Sequence, residues 1–266
     1  MTSVTATRIQ TMILCGGMGT RLREETEYRP KPMVEIGGRP ILWHIMKGYA
    51  AHGFTDFIIC LGYKGEMIKE YFLNYEAMNN DFTVELGRPE SIAFHDGHAE
   101  NGWHVTLADT GHASNTGARV KRASRYLTGD RFMLTYGDGV SNVDFRALVA
   151  FHERAGTLAT VTGVRPGSRF GALHVDGTRV EQFREKAQAD AGVINGGFFV
   201  FDRRALEYMS DDPACVLERE PLERLAADGQ LSMYQHDGFW QCMDTYRDYQ
   251  QLNELWESGE AKWKKW

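Results

Sequence analysis

The sequence predicts an α/β fold built on a parallel sheet, and three observations carry that expectation. Thr11-Met-Ile-Leu-Cys15 is a short continuous apolar run that ends in glycines, as a strand buried on both faces does. Phe57-Ile-Ile-Cys-Leu61 repeats the pattern, and between the two runs residues 40–52 place apolar side chains at helical spacing. Strand, helix and strand at this interval form a crossover unit. Gly16-Gly17 turns the chain after the first strand. Pro40 suits a first helical turn and Gly53 ends that helix. Residues 65–75 read as a helix, whereas 79–103 are less regular and suggest an insertion or an extended arm. A strand follows at 105–108, a helix with a basic face at 118–126, and a strand at 132–136 that runs into Gly137-Asp138-Gly139. Asp144 caps a helix over 144–155, and 158–164 is a strand. Asp176-Gly177 joins strands at 172–175 and 179–183 as a hairpin, with a further strand at 198–201. Residues 218–228 and 246–256 read as helices. No repeat, low-complexity stretch or linker interrupts the chain, so a single domain is expected over 8–266, with 1–7 as a disordered extension.

The 266 residues carry 30 Lys+Arg against 36 Asp+Glu, a net charge of −6. That balance disfavours binding to nucleic acid or a membrane surface through bulk charge. It leaves room for a small polyanion held by a few converging cations and backbone N–H groups. With 42% hydrophobic and 25% charged residues the composition is that of a globular chain, not of a disordered, collagen-like or coiled-coil one. A chain of this length buries roughly 70–75% of its unfolded surface and needs no disulfide or structural metal to fold. No apolar run approaches the ~18–20 residues that span a bilayer. Residues 1–10 are threonine-rich with no apolar secretory core, so a cytoplasmic location is expected. Cys15, Cys60, Cys215 and Cys242 form no C-x-x-C pair and read as reduced, mostly buried thiols. His95, His98, His104 and His112 lie close in sequence but match no standard metal spacing.

The densest chemistry lies in Leu14-Cys-Gly-Gly-Met-Gly-Thr-Arg-Leu22. A buried strand ends there in a loop with Gly16, Gly17 and Gly19 around Met18, where backbone N–H groups can reach an anion with no Cβ in the way. Thr20 adds a hydroxyl and Arg21 a bidentate phosphate donor. The dinucleotide pattern G-x-G-x-x-G fails at Leu22, which disfavours a nicotinamide oxidoreductase, and the G-x-x-x-x-G-K-[ST] pattern fails as well. Taken alone, the glycines fit a tight turn equally well. In Arg29-Pro-Lys-Pro-Met33 two prolines restrict the backbone on both sides of Lys31, which suits a held cation aimed at a phosphate. A solvated turn lysine is the plainer alternative. Asp138, between two glycines just past a buried strand, either projects into a cleft or caps its own turn.

Together these segments resemble the N-terminal signature of the sugar-1-phosphate nucleotidyltransferases. The resemblance sharpens toward the glucose-1-phosphate cytidylyltransferases in Pro32-Met-Val-Glu-Ile-Gly-Gly-Arg-Pro-Ile-Leu-Trp-His-Ile-Met46 and Phe57-Ile-Ile-Cys-Leu-Gly-Tyr-Lys-Gly65. It continues through Thr135-Tyr-Gly-Asp-Gly-Val140, Arg169-Phe-Gly-Ala-Leu173, Ile194-Asn-Gly-Gly-Phe-Phe-Val200 and Asp237-Gly-Phe-Trp-Gln-Cys-Met-Asp-Thr245, in motif order from about residue 9 to the end. The resemblance implies a doubly wound, mostly parallel mixed sheet of Rossmann-like type, with a small β-rich and helical C-terminal part and nucleotide at the carboxyl ends of the first strands.

The implied reaction joins CTP and glucose 1-phosphate to give CDP-glucose and pyrophosphate by direct in-line attack, feeding deoxysugar or polysaccharide synthesis. Such a reaction calls for cations and Mg²⁺ rather than a covalent nucleophile. By resemblance, Asp138 and Asp244 hold the metal, although Asp244 would otherwise read as a helix N-cap before Thr245. The absence of any D-x-D weakens a metal-dependent glycosyltransferase. Arg21 and Lys31 are assigned to the triphosphate, with Leu14, Gly16, Gly17, Met18, Gly19, Thr20, Thr116, Gly117, Arg119 and Gly137 around the nucleotide. Lys186 is assigned to the sugar phosphate and Glu185 to a sugar hydroxyl, with Gly171, Asn195 and Trp240 as further sugar contacts; Trp240 also reads as a core aromatic. Three departures stand out: Ala187 replaces the family's proline after Lys186, Ala118 replaces its second glycine before Arg119, and Cys15 stands where the family more often has alanine. They leave open another base such as GTP, or another sugar 1-phosphate such as a heptose. A non-catalytic sugar-nucleotide sensor is a more distant alternative. Family members associate, so a homo-oligomer is expected, with neither nucleic acid nor membrane as partner.

Overall fold

Gln10–Cys15 (β1) runs through the middle of the central sheet in this computed structural model, which describes residues 9–95, 97–165, 172–176, 179–184 and 192–266. Along the chain follow α1 (Ile41–Ala50), β2 (Asp56–Leu61), α2 (Gly65–Leu73), β3 (His104–Asp109) and α3 (Thr116–Ala123). Then come β4 (Arg131–Tyr136), α4 (Phe145–Ala155), β5 (Ala159–Val164), β6 (Ile194–Asp202), α5 (Glu220–Ala227), β7 (Leu231–His236) and α6 (Tyr246–Glu257). The strands lie in the order β7-β5-β6-β4-β1-β2-β3. All run in one direction except β6, which is antiparallel to both β4 and β5.

The unbroken apolar run of β1 follows from its place in the sheet. Successive strand residues face opposite sides. Ile13 and Cys15 enter one hydrophobic cluster with Leu42, Ile45 and Tyr49 of α1. Met12 and Leu14 enter the other with Val120 and Ala123 of α3. Both faces are covered, which accounts for the apolar run Met12–Cys15, while the polar side chains of Gln10 and Thr11 at the start of β1 are buried with it. The order of the strands also places a crevice. The chain steps from β1 outward to β2 and β3, then returns to lay β4 on the other side of β1. Beyond the carboxyl ends of β1 and β4 the connections diverge, and that switch point is where α/β sheets bind ligands. The two strands separate tightly: Gly137 N donates to Leu14 O at 3.1 Å, and a Cβ on Gly137 would lie 2.8 Å from that oxygen. Only glycine lets the chain leave β4 there.

The differences from the expected elements have local causes. Residues 79–103 hold an antiparallel hairpin, Phe82–Glu85 with Arg88–Phe94, whose exposed strands give no clean burial alternation. The helix expected over 118–126 begins earlier, at Thr116, and closes in a 3-10 turn at Ser124–Tyr126. β7 was not foreseen: it is an edge strand whose residues are only half-buried, so its apolar signal is weak. The expected hairpin is present as Ala172–Asp176 paired with Arg179–Arg184, while its turn, like the expected extension over 1–7, lies outside the described residues. Among the described residues no helix is long and apolar enough to cross a membrane. All four cysteines are free.

Candidate active site

The glycine loop leaves β1 at Cys15 and is folded around its own backbone. Gly19 sits at φ +62°, where a side chain is strained, and a Cβ there would lie 2.8 Å from Thr26 Cγ2. Thr26 Oγ1 donates to Gly19 O at 3.0 Å and to Leu22 O at 2.8 Å, and Leu22 is fully buried, which pins the loop's far end. Met18 and Arg21 remain exposed.

Lys31 supplies the centre of the site. It opens a 3-10 turn, Lys31–Met33, between Pro30 and Pro32, so the lysine expected to be held is held. Its Nζ donates to Asp138 Oδ2 and to Asp244 Oδ1, each at 2.7 Å. Arg21 Nη1 donates to the other oxygen of Asp244 at 2.9 Å. The Lys31 and Asp244 side chains are 10% and 16% exposed, which limits solvent screening of the pair. Burial presses the Lys31 ammonium down, but the Asp138 and then the Asp244 carboxylate outweigh it and the net shift is upward. Burial likewise presses Asp244 up, yet the Lys31 hydrogen bond and charge, with Arg21, carry it below the usual carboxylate range.

Two residues more than a hundred positions apart meet because of a small two-stranded pairing. Gly139–Ser141 lies antiparallel to Trp240–Cys242, and Met243 N donates to Asp138 O at 2.8 Å. Immediately beyond, Thr245 and Asp248 form a capping box at the start of α6, and Asp248 Oδ2 accepts from Asp244 N at 3.1 Å. The N-cap is therefore Thr245, which leaves the Asp244 carboxylate free to point at Lys31. Cys242 lies beside it, with Sγ 3.6 Å from Asp244 Oδ2; burial, then the neighbouring carboxylates, push this thiol up to about 12.

Two lobes share this centre. The first, about 260 Å³, lies under the glycine loop and is walled by Leu14, Gly17, Gly19, Thr20, Lys31 and Gly137. The second, about 320 Å³, is walled by Asn195, Gly196, Gly197, Trp240 and Asp244. Arg21, Tyr136 and Asp138 line both. Trp240 is half-buried, with Nε1 donating to Gly196 O at 2.7 Å, and it packs against the core while walling the second lobe.

Other expected contacts are placed differently. Arg119 is 4% exposed, and its guanidinium donates to the carbonyls of Gly16, Leu61, Gly111 and His112 and to the Thr110 hydroxyl. It grips the glycine loop from behind, so a direct nucleotide contact would require part of that set to be exchanged. A Cβ on Gly16 would strike this guanidinium at 2.1 Å, which gives Gly16 a packing reason. Gly117 admits the backbone of Cys215, and the Thr116 hydroxyl is engaged with Glu218 and Leu217 N. Gly16, Thr116, Gly117 and Arg119 thus shape the loop and its support without lining either lobe. Gly171, Glu185 and Lys186 lie outside the described residues. Sequence reasoning missed Tyr136 and Cys242; a polar side chain at the end of a buried strand was the available signal for Tyr136.

Asp138 and Asp244 fit a hard divalent cation, since one positive centre already draws an oxygen from each. Among the described residues no cluster of three or more His, Cys, Asp or Glu could hold a metal. A Mg²⁺ site needs fewer, because one or two carboxylates with phosphate oxygens and waters complete its shell.

The sequence pattern of the family described as nucleotidyl transferase matches residues 10–258. Glucose-1-phosphate cytidylyltransferase of Salmonella typhi is 49% identical, covering 97% of this chain and all of its own. A probable glucose-1-phosphate cytidylyltransferase of Bacillus subtilis is 43% identical over the same shares. Mannose-1-phosphate guanyltransferase of Neurospora crassa is 28% identical over 91% of this chain and 62% of its own. Among solved structures, the HddC protein of Yersinia pseudotuberculosis superposes with a TM-score of 0.67 at 22% identity, covering 93% of this chain and 99% of that one. That likeness bears on the fold.

Proposed function

This chain belongs to the nucleotidyl transferase family, and on that premise we propose that it transfers a cytidylyl group from CTP to glucose 1-phosphate, giving CDP-glucose and pyrophosphate. The observation that carries the reading is the shared wall: the lysine–aspartate centre stands where a lobe under the glycine loop meets a second lobe with amide and indole walls. A reaction joining two anions needs that arrangement. The sugar-phosphate oxygen attacks the α-phosphorus of CTP, the bond from that phosphorus to the bridging oxygen breaks, and pyrophosphate leaves with the electron pair. The nucleophile is already an anion, so no base is required. The residues' tasks are alignment and charge neutralisation.

In this reading Arg21 and Lys31 meet the triphosphate, Asn195 and Trp240 face the sugar, and Asp138 with Asp244 hold Mg²⁺. The metal, when bound, withdraws charge from the phosphate oxygens. Lys31, released from its carboxylates to a phosphate oxygen, neutralises charge as it builds. The 49% identity to a cytidylyltransferase against 28% to a guanyltransferase favours CTP over GTP, so Ala118 and Ala187 do not argue for another base. The presence of Lys31, Asp138 and Asp244 disfavours a non-catalytic sensor. A cytoplasmic location accompanies the reading because CTP is a cytoplasmic substrate.

The direct test is pyrophosphate release with glucose 1-phosphate, Mg²⁺ and each nucleoside triphosphate in turn. CTP should support turnover at least ~100-fold better than the others, and a chelator should abolish it. Equal rates with GTP, or no release with CTP, would reject the assignment. Self-association also belongs to the proposal. The hairpin Phe82–Glu85/Arg88–Phe94 leaves Phe82, Leu86, Ile92 and Phe94 exposed, and a two-stranded ribbon is marginal without a partner. Light scattering should report a multiple of the single-chain mass; a monomer would refute association.

A further inference from the structure

Beside the charged centre, four side chains from distant parts of the chain form one hydrogen-bonded line. Thr116 Oγ1 donates to Glu218 Oε2 at 2.6 Å, and the Tyr136 hydroxyl donates to Glu218 Oε1. Asn195 Nδ2 donates to the Tyr136 oxygen at 3.3 Å, and Gly197 N donates to Asn195 Oδ1 at 2.8 Å. Tyr136 walls both lobes and Asn195 walls the second. The reaction above uses neither Tyr136 nor Glu218.

We infer that Glu218 and Tyr136 are positioning residues that fix which end of the Asn195 amide is offered to the sugar lobe. A phenol has one proton, and a carboxylate only accepts. Tyr136 therefore spends its proton on Glu218, and its oxygen can act only as an acceptor toward Asn195. That demand turns the NH₂ end of the amide to Tyr136. Gly197 N–H makes the matching demand from the other side, since it can bond only the amide oxygen. Thr116 completes the constraint by holding the second oxygen of Glu218, while its own hydroxyl accepts from Leu217 N at 2.9 Å. Burial, and then the Glu218 carboxylate, hold the Tyr136 phenol well above its usual range, so it keeps the proton it must donate.

With one N–H given to Tyr136, the other is the group Asn195 can present to a ligand. A fixed N–H donor selects an acceptor oxygen, which a sugar hydroxyl or its phosphate supplies. An amide free to flip would present oxygen or nitrogen with less discrimination. Because Thr116 begins α3 and Asn195 lies on β6, the line also ties the support of the glycine loop to the sugar lobe.

The inference rests on the proposed function, and the test separates the two. Full-length enzyme is assayed for pyrophosphate release with glucose 1-phosphate varied at saturating CTP, and then with CTP varied at saturating glucose 1-phosphate. Tyr136→Phe keeps the ring and deletes the acceptor, so the KM for glucose 1-phosphate should rise about tenfold with the KM for CTP within about twofold. Glu218→Gln keeps the volume but can donate an N–H to the Tyr136 oxygen, which frees the phenol proton to demand the amide oxygen of Asn195. It should raise the same KM by a similar factor. A merely structural role would move both KM values or kcat together. Active wild type with unchanged sugar-phosphate KM in both variants overturns the positioning role alone. Wild type with no release overturns the functional reading, and the sugar-lobe role with it.

Discussion

Lys31→Met should lower kcat/KM for pyrophosphate release about 10³-fold, a loss of ~4 kcal/mol of transition-state stabilisation. The substitution preserves the length of the side chain within its proline-bounded turn and deletes the only charge that contacts both Asp138 and Asp244 among the described residues. A merely folded role would leave turnover near normal, and a loss below about tenfold would remove Lys31 from the chemistry. The pH dependence of stability gives an independent check. In the wild type, Lys31 is raised, so its contribution is complete below the ordinary lysine value and is lost only as pH climbs through a higher one. Asp244 is lowered, so its contribution is present above the ordinary carboxylate value and is lost as pH falls through a lower one. Between about pH 5 and 9 neither group makes the wild type pH-sensitive. In Lys31→Met the two carboxylates face one another without their shared cation, and like charge disfavours ionisation. The sign reverses: the variant should be more stable to urea at pH 5 than at pH 8. Equal midpoints at the two pH values in the variant would mean that the carboxylates do not feel each other.

Arg119→Met should destabilise the protein by about 3–5 kcal/mol, which for a chain of this size lowers Tm by on the order of 10 °C. The guanidinium serves four carbonyls and one hydroxyl in a site that is 4% exposed, and methionine withdraws the charged donor from all five, leaving Gly16 O, Leu61 O and Gly111 O only their backbone N–H or hydroxyl partners. Burial first, and also the nearby Arg122 charge, pull the guanidinium down from its ordinary value, the direction expected of a cation held mainly by neutral acceptors. Because Gly16 O lies in that set, the glycine loop should loosen with the loss. Thermal unfolding measures the effect. A Tm within about 2 °C of wild type would show that the loop is held by other means.

The cleft was legible in the sequence to the extent that its parts are local. Three glycines after an apolar run specify a loop open to anions, and two prolines specify a held lysine between them, because backbone freedom and its restriction are properties of single residues. The same holds for Asp144, whose side chain caps α4 by accepting from Ala147 N at 3.0 Å. Asp138 and Asp244 are another matter. Resemblance paired them, but no spacing rule could; their meeting depends on the pairing of Gly139–Ser141 with Trp240–Cys242 across a hundred residues. Arg119 shows the reverse case. Resemblance placed Arg119 at the nucleotide; the structure adds that it is buried in a ring of carbonyls, since a cation's acceptors are decided by what the fold brings around it.

Tyr136 and Glu218 carried no sequence signal as a pair, being 82 residues apart and meeting only where β4 ends beside the loop that precedes α5. The sequence by itself determined the alternation of strands and helices, the glycine loop and the types of charge available. Only the tertiary structure decided which carboxylates share a cation, which arginine supports the loop, and which wall each lobe receives. The physical reason is range: backbone preference and hydrophobic period act over a few residues, whereas a charge or a hydrogen bond acts on whatever the packed sheet places within about 3 Å of it.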